Sequence, residues 1–150
     1  FAMVGFRMRN TLSEHGAVSR GLCAAGLDGA LTSITEVHGI VAADVGAGRK
    51  YSGEEIVSMN CWGFTPALFD GLDRQFREFL AARGSEEKAE FYLPAAVSGM
   101  VARGEAVARL LPTSASWFGV TYREDKPRVT AAIAALVASG QYPSPLFPAV

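Results

Sequence analysis

One stretch in the middle of the chain, Ile56-Val57-Ser58-Met59-Asn60-Cys61-Trp62-Gly63-Phe64, restricts the fold more than any other. The run is nearly continuous in apolar character and lacks the strict alternation of a strand with one face in water. It reads as a strand buried on both faces, which requires covering elements on each side of its sheet. Thr65 and Pro66 follow at once and suit a helix cap and a first turn, so this strand leads directly into a helix. The expected class is therefore α/β, a mixed sheet with flanking helices.

Three helices are marked by their ends as well as by their periods. The first carries the stripe Leu68, Leu72, Phe76, Phe79 and Leu80 and stops at Gly84. Pro94 opens the second, with Leu93, Val97, Met100 and Val101 on one face and Gly104 at its end. Asp125 caps the third, Pro127 sits in its first turn, Val129, Ile133, Leu136 and Val137 form its stripe, and Gly140 ends it. Upstream, 18–24 and 31–36 have strand patterns joined across the turn formers Gly26-Leu27-Asp28-Gly29, which predicts a β-hairpin. Residues 37–53 lose periodicity and read as a long loop or a ragged second hairpin. Further strands are expected at 2–8, 106–111 and 117–121. No internal repeat is present, so 1–150 reads as a single domain.

With 150 residues and 49% of them hydrophobic, the chain has room for a real core. Its 14 basic and 15 acidic side chains leave a formal charge of −1, which makes no electrostatic case for a nucleic acid or an anionic membrane as partner. No apolar run approaches the roughly 18 residues of a membrane-spanning helix, and no signal-peptide pattern opens the chain; the expected compartment is the cytoplasm. Cys23 and Cys61 lack metal-site spacing and read as buried thiols. The chain opens at Phe1 without a Met, with strand interior already under way. This suggests an incomplete domain whose first strand has lost sheet neighbours, leaving an edge that invites self-association.

Walker loops, GxSxG, HExxH and calcium-loop motifs are all missing. Gly46-Ala47-Gly48-Arg49-Lys50 reads as a plain flexible loop, and His15 and His38 as surface or loop residues. Two polar residues stand out. Glu36 closes a strand pattern, and Asn60 sits inside the most apolar strand, where an unsatisfied amide costs about 1–3 kcal/mol. Asn60 is thus either locked in a core network or turned toward a ligand. The segment from Trp117 to Pro127 takes a strand into a charged loop and a helix start, where backbone N–H groups and carboxylates can hold a phosphate or a cation. Asp125 there also reads as an ordinary helix cap.

Taken as an ordered set, Asn10 to Gly16, Val18 to Gly21, Leu31 to Glu36, Ser58 to Phe64 and Trp117 to Pro127 resemble the C-terminal half of bacterial sugar-phosphate nucleotidyltransferases. The likeness runs from about Met3 to Phe147. It implies a Rossmann-like fold and transfer of a nucleoside monophosphate from an NTP to a sugar 1-phosphate, with Mg²⁺ as cofactor and pyrophosphate as product. By the same resemblance Gly21 lets the sugar approach the backbone, while Glu36 and Asn60 bind its hydroxyls. Where many relatives have a Lys directly after the Glu to hold the sugar phosphate, this chain has Val37 and His38, which leaves Arg20 or Lys126 for that task. The metal-binding carboxylate of relatives is also missing near Gly119 to Thr121, which leaves Thr121 or Asp125 as metal ligand. The family's nucleotide-binding half has no counterpart here, so the chain alone is expected to be inactive. The other expectation is a non-catalytic regulatory or oligomerisation module. Acceptors in such a family vary, and a phosphorylated alcohol such as choline phosphate is an alternative to a sugar.

Overall fold

A computed structural model describes residues 1–120 and 123–147. Contacts divide the chain into two compact units, Phe1–Ser116 and Trp117–Val150. The first unit holds strands β1 (Ala2–Arg7), β2 (Val18–Ala25), β3 (Leu31–Ile40), β4 (Ile56–Gly63) and β5 (Arg109–Thr113), and helices α1 (Leu68–Arg83) and α2 (Leu93–Ala102). The strands form one sheet in the order β3-β2-β4-β1-β5. All neighbours are antiparallel except β1 and β5, which makes the sheet mixed.

The hairpin expected around Gly26 to Gly29 is present as the β2–β3 turn. Gly29 supplies its left-handed residue at φ 77°, a conformation that costs glycine little. The tip of this turn reaches the far side of the sheet. Leu31 N–H donates to the Ala108 carbonyl at 2.7 Å and Leu110 N–H to the Gly29 carbonyl at 2.9 Å. The two outermost strands therefore meet at one end, and part of each edge is satisfied there. The first strand is not an edge: β1 pairs with β4 on one side and β5 on the other. The exposed edge expected at the start of the chain is therefore not found, because β1 lies inside the sheet.

Two clusters form the core. Met3, Leu31, Leu68, Val97, Met100 and Ala108 fill the space between the sheet and the two helices. Strand alternation turns Phe6, Leu22 and Val57 the other way, where they pack with Met8 and Ile40 and are covered by Leu12, Val45 and Tyr51 from connecting segments. Only half of β4 is covered. Val57 and Ser58 are buried, while Asn60, Cys61 and Gly63 are exposed, so the apolar run does not mark burial on both faces along its whole length.

Helix α1 starts later than Thr65 suggests. Leu68 N–H bonds the Thr65 carbonyl in a preceding turn, and the N-cap is Ala67 with no side-chain cap. Its buried line is Leu68, Gly71 and Gln75 rather than the whole apolar stripe. Gly71 lets α2 come close, because a Cβ there would lie 2.5 Å from Met100 Cε. Gln75 Nε2 then donates to the Ala96 carbonyl of α2 at 3.1 Å, joining the two helices by a buried bond. Phe76 and Leu80 stay 43% and 49% exposed, and Phe76, Phe79 and Phe91 pack on one another instead.

The second unit contains α3 (Asp125–Ala138), followed by Gly140 at φ 73°. Its N-cap is Glu124, so Asp125 is the first helical residue and not the cap. Residues 117–120 form no strand, contrary to the expectation for 117–121; Thr121 itself lies outside the described residues. Among the described residues no helix is long and apolar enough to cross a membrane.

The cysteines differ from the expected pair of buried thiols. Cys61 is exposed and Cys23 is half-buried. Burial pushes the Cys23 thiol up to about 11, against a smaller opposing contribution from a hydrogen bond with the Ser58 backbone. Since the thiolate is the nucleophile, Cys23 is expected to alkylate at least about tenfold more slowly than Cys61 at pH 8. Mass-spectrometric timing of iodoacetamide labelling checks this, and equal rates would contradict the buried position of Cys23.

Candidate functional site

A groove of 840 Å³ lies over β3, β2 and β4, walled by the start of α2. Its floor is a row of residues in register across three strands. Gly21 of β2 pairs with Glu36 of β3 on one side and with Ser58 of β4 on the other. Residues paired in this way point to the same face, so Gly21 leaves a gap between two polar side chains. A Cβ at Gly21 would lie 2.8 Å from Ile34 Cγ2, 3.4 Å from Ser58 Cβ and 3.6 Å from Glu36 Oε2. A ligand can therefore approach the bare backbone there.

Asn60 reaches the same groove by a local irregularity. Between the pairs Met3–Trp62 and Gly5–Ser58 the β1–β4 register shifts, and β4 contains more residues than β1 over that interval. Such a bulge re-aims side chains. Asn60 sits within it at φ 55°, the one non-glycine residue with positive φ among the described residues. Asn tolerates that conformation better than most side chains. It lines the groove and is exposed, so of the two readings of Asn60 the buried core network is ruled out.

Arg20 also lines the groove, but its guanidinium is engaged elsewhere. Nε donates to Thr11 Oγ1 at 3.0 Å, Nη1 to the Ser19 carbonyl at 2.7 Å, and Nη2 to the Thr11 carbonyl. Thr11 Oγ1 in turn donates to the Met8 carbonyl at 2.9 Å. Burial lowers the Arg20 pKa, and the nearby Glu36 carboxylate opposes that shift. Arg20 thus pins the 3-10 turn Met8–Thr11 against β2.

Residues that the sequence reading left out complete the walls. Tyr92, the N-cap residue of α2, faces the groove. Its phenol is raised above the usual tyrosine range, first by a hydrogen bond with Glu90 and also by the Glu36 carboxylate, which is therefore within electrostatic reach. His38 and Ser19 line the other part, with Ser19 Oγ 2.9 Å from His38 Nδ1. His38 carried no such signal, because its strand pattern ends at Glu36, whereas β3 continues to Ile40 and so puts His38 on the face of Glu36. Tyr92 carried a weak one, next to the helix start marked by Pro94.

The structure thus brings Arg20, Gly21, Glu36 and Asn60 to one place. The candidate metal ligands give a different result. Among the described residues no three His, Cys, Asp or Glu side chains converge in a way that could hold a metal ion. Asp125 has its carboxylate 3.8 Å from Arg128 on the next turn.

No protein-family model matches the chain, and no curated protein is significantly similar to it. The chemistry of the groove stands on its own residues. A carboxylate acceptor, an amide that both donates and accepts, an open stretch of strand backbone and a phenol form a set suited to a small polyhydroxylated ligand.

Proposed function

We propose that this chain is the acceptor-binding part of a sugar-phosphate nucleotidyltransferase with a Rossmann-like fold. The observation that carries the proposal is the convergence of Gly21, Glu36 and Asn60 from three adjacent strands on one groove. In the complete protein a phosphate oxygen of the bound sugar 1-phosphate attacks the α-phosphorus of an NTP. One P–O bond forms, the bond to the β-phosphate oxygen breaks, and pyrophosphate leaves. Glu36 accepts hydrogen bonds from sugar hydroxyls, Asn60 donates and accepts, and Gly21 allows the ring to lie close to the strand. These groups orient the nucleophile, a contribution that acts by positioning rather than by proton transfer. Mg²⁺ and the NTP belong to this proposal through the complete protein, where the metal would neutralise charge on the transferred phosphoryl group.

Binding without turnover is the expected behaviour of the isolated chain. In ¹⁵N-resolved NMR titrations with a panel of hexose 1-phosphates and choline phosphate, at least one hexose 1-phosphate is expected to shift the Gly21 amide and the Asn60 side-chain amide saturably. Glu36→Gln is expected to weaken that binding about tenfold, the scale of one charge-assisted hydrogen bond. A response to choline phosphate alone would replace the sugar by a phosphorylated alcohol. No response at Gly21 or Asn60 to any member of the panel would overturn the proposal.

A second reading, a regulatory or oligomerisation module, is favoured by one feature: Phe69, Phe76 and Leu80 of α1 are exposed together on the first unit. Sedimentation that shows a concentration-dependent dimer abolished by Leu80→Glu, with no ligand response in the groove, would select it.

A further inference from the structure

The polar groups of the groove divide between two ends. Glu36 and the Tyr92 phenol, itself hydrogen-bonded to Glu90, make one end anionic and rich in acceptors. Two positions further along β3 stands His38, on the same face and about 6.7 Å away along the strand. The residue between them, Val37, packs in the opposite core cluster with Met8 and Ile40. His38 is exposed, and its Nδ1 lies 2.9 Å from Ser19 Oγ at the point where the β2–β3 register shifts. Arg20 fixes this part of β2 through its bonds to the Ser19 and Thr11 carbonyls.

We infer that the Ser19–His38 pair is a phosphate subsite of this groove, taking the phosphomonoester end of a sugar phosphate. The inference rests on the sugar-binding reading above. When the Ser19 hydroxyl donates to Nδ1, the neutral imidazole carries its proton on Nε2, which becomes an N–H donor directed away from Ser19. Arg20, paired with Val37, turns its guanidinium to the opposite face and holds the strand there through the Thr11 and Ser19 carbonyls, while Glu36 is the anion of the groove itself. A dianion placed beside Glu36 would be repelled, whereas one beside His38 is further from that carboxylate and meets an imidazole N–H donor. The spacing between the two ends is comparable with the width of a pyranose ring, so one ligand can present hydroxyls to Glu36 and a phosphate to His38.

The test uses side-chain NMR of His38 with inorganic phosphate, a hexose 1-phosphate and UTP as probes, each against sodium chloride at matched ionic strength. Inorganic phosphate is expected to shift the His38 imidazole signals saturably, with no saturable response to chloride. His38→Ala is expected to weaken phosphate binding at least about tenfold, and His38→Lys to restore it to within about threefold. A hexose 1-phosphate that moves His38 and Asn60 together identifies a sugar phosphate as the source; UTP moving His38 alone identifies a nucleotide, and still supports the subsite. Phosphate binding unchanged in both His38→Ala and Ser19→Ala, both exposed positions, would overturn the subsite. The groove reading would survive that result if a hexose 1-phosphate still moved Gly21 and Asn60. It would fall only if they stayed unmoved.

Discussion

Arg20→Ala is expected to lower the free energy of unfolding by about 3 kcal/mol, which corresponds to roughly 10 °C in Tm for a chain of this size. The guanidinium is buried, and it donates to two backbone carbonyls and to the Thr11 hydroxyl. Removing it leaves acceptors in the turn Met8–Thr11 without their donors, and an orphaned buried group costs more than a solvated bond gains. Arg20→Lys should recover less than half of the loss, because one ammonium cannot reproduce a planar fork that spans Thr11 and Ser19. Urea melts followed by tryptophan fluorescence give the number. A change below about 0.5 kcal/mol in Arg20→Ala would show that the turn is held by other contacts. The same substitution should also weaken phosphate binding at Ser19–His38, since the strand that carries Ser19 loses its anchor.

This role differs from the one suggested by resemblance, in which Arg20 replaces a missing lysine at the sugar phosphate. Its sequence context, between Ser19 and Gly21 on a strand pattern, contains nothing about Thr11, and the bonds between them depend on how the chain folds back. The helices were legible because their apolar periods and their stop residues agree; Gly104 and Gly140 both sit just past helix ends with positive φ. The hairpin was legible for the same local reason. The burial of α1 was not, because Leu80 and Phe76 fit an apolar stripe equally well whether they face α2 or solvent. What decided it was the close approach at Gly71 and the buried bond from Gln75, neither of which leaves a mark on periodicity. Likewise the apolar run at β4 concealed a bulge, since register is a property of two strands and only one can be read at a time. The candidate site was legible where polarity conflicted with its surroundings, as at Asn60 and Glu36. Ser19 and His38 gave no such conflict, and their pairing exists only through the β2–β3 register.

Gly21→Val is expected to weaken binding of the responding hexose 1-phosphate more than about 100-fold while costing about 1–3 kcal/mol of stability. The two effects have separate causes. A Cβ at position 21 would lie 2.8 Å from Ile34 Cγ2, so the strand or Ile34 must shift, which is the stability cost of overpacking. The valine methyls would then stand between Ser58 and Glu36, in the space where the ligand meets bare backbone. Glu36 could no longer share a ring with Asn60, because the floor between them would be raised by the thickness of a methyl group. Gly21→Ala should fall between the two, with the Ile34 contact but without branching into the groove. Gly63→Ala is the matched control: it also adds a Cβ to a strand glycine, yet nothing lies within 4 Å of that position. It is expected to bind as the parent does and to differ in stability by less than about 0.5 kcal/mol. Titrations and urea melts on the three variants separate the alternatives. If Gly21→Val binds as well as Gly63→Ala, the ligand does not lie over Gly21, and the row Glu36–Gly21–Ser58 is a packing feature of the sheet rather than the floor of a site.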